Sequence, residues 1–335
     1  MAAEPSVVVL AGGTGGAKLA RGMLDVAGKL TVIANTGDDI EIYGGHVSPD
    51  PDLICFWLAD AIDSRGWGLA GDTFGVMDGL RALGEEVWFN LGDRDLAIAQ
   101  RRAQLLNAGM RLTDAHRLAT AAIAAPATAA PAAVTPADVA AARAPARVLP
   151  VSDQPVRTRV LAGGRWWTMQ EFMIRAGGSG PIADIQFRGA RAAEPTPEAL
   201  AAIAAADVVV IGPSNPVLSI GPMLAIPSLR AALLHAPCPV VAVSPIVGGK
   251  VLKGPTAECM RFRGAPVDAT GIASLYAGLI DGLVADESVA STPTLKTDML
   301  LATSAERTRL ATETLAFASG LSRAADGKPV PCTRL

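Results

Sequence analysis

The stretch that decides the fold is SVVVLAGGTGGAKLARG, residues 6–22. Ser6 to Ala11 is a short β-branched run, and Leu19, Met23 and Val26 then recur at helical spacing, so the segment reads as strand, glycine-rich turn and helix. A second apolar strand of this kind is expected over Leu30–Ala34 and a third over Val87–Leu91, each flanked by helical segments. Asp207–Ile211 and Pro239–Val243 read as buried strands running into GPSNP (residues 212–216) and Ser244-Pro245. Continuous apolar strands separated by helices predict an α/β fold with a parallel sheet covered on both faces.

At 335 residues, with hydrophobic residues at 50%, the chain is long enough for one large core or a core with a satellite. A single α/β domain is expected over 6–320. Within it, residues 119–150 are mostly alanine interrupted by Pro126, Pro131, Pro136, Pro145 and Pro150, the pattern of an insertion built from short helical pieces and extended joints. Residues 151–190 turn strand-like and more polar around Trp166, Trp167 and Phe172, which predicts a smaller inserted subdomain. A last helix is expected over Ser304–Ala318 with Gly320 as its stop, followed by a tail over 321–335.

The net charge of -3 offers no electropositive footprint, which argues against nucleic acid as a partner. The start, MAAEPSVVV, has no cationic leader, and no apolar run reaches the length of a membrane span; a cytoplasmic chain without a membrane partner is expected. Cys55, Cys238, Cys259 and Cys332 are scattered with no C-x-x-C pair and read as reduced packing thiols.

Gly12, Gly13, Thr14, Gly15, Gly16 and Lys18 open a helix directly after a strand, where backbone N–H groups and the helix dipole can receive a phosphate and Lys18 adds a point charge. The loop is not a Walker A sequence, since Leu19 stands where the metal-binding hydroxyl would be. Nor is it a dinucleotide fingerprint: Lys18 takes the third glycine position, and Asn35 ends the second strand where a ribose-binding acid is expected. A nicotinamide oxidoreductase is thereby set aside.

Acids concentrate in NTGDD (35–39) and SPDPD (48–52), the latter ahead of a helix expected to begin near Leu53. Carboxylates there suit a hard cation such as magnesium that also bridges phosphate oxygens, although an aspartate before proline, as at Asp50, is equally an ordinary helix cap. LGDRD (91–95) is expected at the carboxyl end of the third strand, where two acids orient Arg94 toward a phosphate or carboxylate, or else cap a helix beside a solvated arginine. His116 and His235 read as surface or packing residues, and His46, near the acidic loop, as a further candidate.

In order and spacing, AGGTGGAKLARG (11–22), NTGDD, SPDPD, GDTFG (71–75), LGDRD, LPVSDQPVRT (149–158), IGPSNPVLSIGPML (211–224) and VSPIVGGKVLKGP (243–255) together resemble the 2-phospho-L-lactate transferase family of deazaflavin coenzyme biosynthesis. The resemblance implies a Rossmann-like sheet, usually in a homodimer. It places the guanosine diphosphate part of a donor on the glycine loop with Ser214, Asn215 and Ser244. The activity it implies joins a phospho-acid, from its guanosine-5'-diphospho form, to the ribityl hydroxyl of the deazaflavin Fo in coenzyme F420 biosynthesis, releasing GMP. Three acids stay open: 2-phospholactate, phosphoenolpyruvate and 3-phosphoglycerate. By position, Asp52 and Arg94 become contacts for Fo, and Asp50 and Asp52 become Mg²⁺ ligands or the catalytic base, with Asp52 the first choice as base. The alternative is a non-catalytic nucleotide-sugar-binding regulator of the related gluconeogenesis-factor family; SPDPD and LGDRD together favour the enzyme.

Overall fold

The computed structural model of the chain describes residues 4–123 and 146–321. Most of the alanine- and proline-rich segment and the tail from 322 onward lie outside the described residues. The chain runs through β1 (Ser6–Ala11), α1 (Gly13–Leu24), β2 (Lys29–Ala34), β3 (Ile40–Ile42), β4 (Gly45–Val47), α2 (Pro49–Leu58), α3 (Gly75–Ala82), α4 (Asp93–Asn107) and α5 (Leu112–Thr120). It continues with β5 (Ala146–Pro150), β6 (Arg157–Ala162), β7 (Arg165–Thr168), α6 (Met169–Ile174), β8 (Ile182–Arg188), α7 (Pro197–Ala204), β9 (Val208–Ile211), α8 (Gly221–Leu224), α9 (Pro227–Leu234) and β10 (Val240–Val243). The last elements are β11 (Ile246–Val247), β12 (Lys250–Val251), α10 (Thr256–Phe262), α11 (Ala269–Leu275), β13 (Gly282–Ala285), β14 (Thr294–Lys296) and α12 (Ser304–Ser319).

Seven strands form a parallel sheet in the order β14-β13-β10-β9-β1-β2-β5. Along β1, Val8 and Leu10 enter one core while Val7, Val9 and Ala11 enter the other, so neither face meets water and the strand is apolar without alternation. Helices α7, α9 and α11 supply Ala199, Leu229 and Ile272 to the first core; α1 and α12 supply Leu19 and Leu310 to the second. The fold is Rossmann-like α/β, as expected. From β1 the chain moves outward through β2 to β5, then returns to β9 and moves outward the other way, so the order reverses between β1 and β9. Ligands of open α/β sheets bind in the crevice beyond the strand ends at such a switch point.

Two expectations change. Val87–Leu91 is not a strand; the third position on that side of the sheet belongs to β5. The apolar run around Val87 instead packs in a satellite cluster with Val47, Met77, Leu96 and Tyr43, and the Phe89 N–H donates to the Tyr43 hydroxyl at 3.3 Å. A short apolar run has the same composition whether it joins a sheet or a satellite cluster. The second change is at α2, which begins at Pro49 rather than near Leu53. Proline at the first helical position loses no hydrogen bond, so the helix starts early and carries Asp50 and Asp52 in its first turn.

Residues 157–188 form a three-stranded antiparallel sheet, β7-β6-β8, with Phe172 of α6 buried beneath it. Helix α6 has a capping box between Thr168 and Glu171, and α12 has one between Thr303 and Glu306 and ends on Gly320. Among the described residues no helix is long and apolar enough to cross a membrane.

Candidate active site

Loops after β1, β2 and β9 meet at the switch point, and their contacts account for the glycines. A Cβ on Gly15 would stand 2.1 Å from the Pro213 carbonyl oxygen, and one on Gly16 would stand 2.6 Å from Ser214 Oγ. Gly13 has φ +69°, a left-handed conformation that glycine adopts at no steric cost. The Gly12 N–H donates to Ser214 Oγ at 3.1 Å and the Gly13 N–H to Asp50 Oδ1 at 2.6 Å. Thr14 and Gly15 follow in the first turn of α1, whose N–H groups have no intrahelical carbonyl partner.

The other residues expected at the nucleotide are held in different ways. Asn215 Oδ1 accepts from the N–H groups of Val217 and Leu218 at 2.9 Å each, so it shapes its own loop. Ser244 is buried and its Oγ accepts from the Ile246 N–H at 3.1 Å. Lys18 sits in the second turn of α1 with Nζ 5.6 Å from the Trp57 ring centroid. Burial pushes its pKa down, and the neighbouring Arg307 and Lys253 charges add to this.

Beside the glycine loop lies a cluster of buried acids: Asp38, Asp39, Asp50 and Asp52. Two of them have cations. Asp39 Oδ1 accepts from Ser48 Oγ at 2.8 Å, and its Oδ2 faces His46 Nε2 at 3.1 Å. His46 Nδ1 lies 3.2 Å from Glu41. Burial pushes the His46 pKa down, but the Asp39 and Glu41 partners outweigh it and raise the value to about 9, so the ring is an imidazolium at neutral pH. Asp52 is gripped through both oxygens by Arg102, which is 0% exposed and also donates to the His46 carbonyl at 2.8 Å. Burial raises the Asp52 pKa against the opposing pull of Arg102. His116, buried as a packing residue, closes this group 3.7 Å from Asp52 Oδ1.

Asp38 and Asp50 have no cation partner among the described residues. Both accept from the single amide nitrogen of Asn35, at 2.9 Å each. Burial pushes Asp50, 5% exposed, up to about 6, against the opposing Asn35 and Gly13 hydrogen bonds. Burial and the Asp50 charge raise Asp38 well above the usual carboxylate range. Like charges crowded in a low-dielectric pocket are the arrangement a divalent cation relieves. Among the described residues no group of three or more His, Cys, Asp or Glu is arranged to hold a metal ion alone. Magnesium asks less, since it binds through one or two carboxylates with substrate phosphates and water. Asp38 and Asp50 fit that requirement. Asp52 does not, because the Arg102 guanidinium already neutralises it through both oxygens, whereas the donors to Asp50 are neutral N–H groups.

Across the pocket, GDTFG and LGDRD cap each other's helices. Asp72 accepts from the N–H groups of Arg94 and Asp95 at the start of α4, while Asp93 accepts from those of Gly75 and Val76 at the start of α3. Neither acid orients Arg94, which is exposed and donates to the Ala70 carbonyl at 3.3 Å. Asp95 is half-buried; burial pushes it up to about 7, with the Asp52 and Asp72 charges adding to the shift.

Arg102 is the site residue outside every motif, while Asp38 and Asp95 fell inside NTGDD and LGDRD without being singled out as metal ligand or base. Arg102 had a legible signal, because the buried positions of α4 are Leu96, Ala99, Arg102 and Leu105, a spacing of three that puts this arginine on the apolar stripe. Asp95 had none, since its exposed neighbour Arg94 looks equally functional in the sequence.

A seven-stranded parallel α/β protein with a cluster of buried acids beside a glycine loop at its topological switch point is the class that this geometry defines. The chain belongs to the family described as 2-phospho-L-lactate transferase CofD, whose model matches residues 7–314, and is a transferase of that family. It is 38% identical over 290 residues to a phosphoenolpyruvate transferase of Kitasatospora aureofaciens, covering 84% of both chains. To a 2-phospho-L-lactate transferase of Methanosarcina mazei it is 33% identical over 284 residues, covering 84% of this chain and 87% of the relative. A crystal structure of a Bacillus halodurans protein of the UPF0052 family shares the fold, with a TM-score of 0.58, 15% identity, and coverage of 93% of this chain and 99% of that one.

Proposed function

We propose that the chain makes a coenzyme F420 precursor by transferring a phospho-acid from its guanosine-5'-diphospho form to the ribityl hydroxyl of Fo. The observation that carries this reading is the cation-free pair Asp38 and Asp50, set beside first-turn N–H groups of α1 at the switch point. A diphosphate needs both a cation and N–H donors to hold it, and these stand next to each other here. Phosphoenolpyruvate is the acid we infer, because relatives of that name reach 38–39% identity against 33–34% for those named for 2-phospho-L-lactate.

The Fo hydroxyl attacks the phosphorus that carries the acid, the bond from that phosphorus to the bridging oxygen breaks, and GMP leaves with the bridging oxygen. Such transfers are governed by positioning and charge stabilisation. Magnesium, when bound, would neutralise phosphate oxygens; Asp38 and Asp50 would hold it. The N–H groups of Thr14 and Gly15, in the first turn of α1, hold the diphosphate, since those of Gly12 and Gly13 already bond Ser214 and Asp50. The acceptor side is formed by Asp52, Arg94 and Asp95. Asp52 is fixed by Arg102 and shapes the pocket, so the hydroxyl proton goes instead to Asp95, whose raised pKa suits a general base near neutral pH.

The test is to incubate the protein with Fo, Mg²⁺ and each of the three guanosine-diphosphate-linked donors, following Fo mass and GMP release. The expected result is a phosphoenolpyruvate-modified Fo with stoichiometric GMP. Asp50→Asn is expected to cut turnover by about 10²-fold or more and to weaken the Mg²⁺ dependence. If no donor reacts while the protein binds a nucleotide sugar, the regulator reading replaces this one.

A further inference from the structure

A cavity of about 1010 Å³ lies between β8, the α8–α9 turn and the ends of α10 and α11, and it is lined by no residue of the glycine loop or the acid pocket. Its volume suits a nucleotide- or drug-sized molecule. The walls are apolar, with Phe187, Leu224, Phe262 and Tyr276 among them. Its charged lining residues are Arg188, Arg191, Arg230 and Arg263, and no acid or lysine joins them.

Among the described residues none of these four guanidiniums forms an ion pair with a carboxylate; single arginines elsewhere, such as Arg94 and Arg147, also lack one, but here four line one cavity. Arg188 also stands directly opposite Arg157 in the β6–β8 register, a like-charge placement that costs stability. Arg157 is answered by Glu41 at 2.6 Å; Arg188 is answered by no carboxylate. Tyr276 is 3% exposed and lines the cavity, yet its phenol makes no hydrogen bond among the described residues. Burial pushes its pKa up, so it stays a donor. Four arginines without a carboxylate and an unbonded phenol around apolar walls complement a guest with a greasy body and several negative charges.

We propose that this cavity is a second ligand site, separate from the transferase pocket, for an organic anion with an apolar body and at least two negative charges. The test uses the full chain and bis-ANS, an aromatic disulfonate, titrated by fluorescence with guanosine diphosphate saturating. Binding is expected to be saturable, insensitive to the nucleotide and weakened by salt. Arg188→Gln with Arg230→Gln should weaken it by about tenfold or more, while neutral phenylnaphthylamine binds both proteins alike. Displacement by guanosine diphosphate, or equal bis-ANS binding by the double variant, overturns the proposal. So does a dimer in sedimentation that the double variant dissolves, because the cavity is then an interface between copies. Should the double variant fail to fold, phenylglyoxal labelling of the unaltered protein decides: protection of the four arginines by bis-ANS supports the site, and unchanged labelling overturns it.

Discussion

The acids of NTGDD and SPDPD and those of GDTFG and LGDRD look alike in the sequence, and SPDPD, GDTFG and LGDRD each lead into a helix. In the folded chain they do different work. Asp72 and Asp93 spend their oxygens on the N–H groups of α4 and α3, in contact with solvent. Asp38 and Asp50 are buried against each other with one asparagine amide between them, and Asp39 and Asp52 are neutralised by His46 and Arg102. The difference teaches that clustered acids acquire chemistry through burial and the lack of a cation partner. Asp95 belongs to the capping cluster by sequence, but burial and the Asp52 charge raise its pKa as they do not for Asp93.

Arg102→Leu should break the contrast most severely. It leaves Asp52 buried with no counter-charge, a loss of about 3–5 kcal/mol by denaturant titration. A loss below about 1 kcal/mol would show that Asp52 needs no cation. Next comes Asp95→Asn, expected to lower turnover by about 10²-fold and to remove the rise of rate with pH through about 7. A variant that keeps that rise takes Asp95 out of proton transfer. Asp95 is raised in the folded state, so its ionisation costs stability as the pH climbs from about 4 to 7, and the asparagine variant should be the more stable one at pH 8.

His46 carries the opposite sign. Its pKa is raised from 6.5 to about 9, so its contribution is complete below pH 6.5 and is lost as the pH rises through about 9. Stability across that window should fall by an amount on the order of 3 kcal/mol, read as a lower melting temperature, and His46→Gln should flatten the profile. The smallest effect belongs to the capping cluster: Asp93→Ala should lower the melting temperature slightly with turnover little changed. A turnover loss comparable to that of Asp95→Asn would erase the distinction between the two clusters.

The sequence by itself determined the parallel sheet, because a strand buried on both faces has to be apolar throughout, and Val7 to Ala11, Leu30 to Ala34 and Val208 to Ile211 show this without a structure. It also determined where to look, since a glycine loop after the first strand and acids after the second converge at a switch point. Only the tertiary structure decided which acids are free. Whether Asp52 or Asp50 is left without a cation depends on Arg102, fifty positions further along the chain, and whether Asp95 titrates near neutrality depends first on its burial and then on the Asp52 charge. Desolvation and pairing are properties of distances in space, and spacing along a chain fixes those distances only within one helix or one turn.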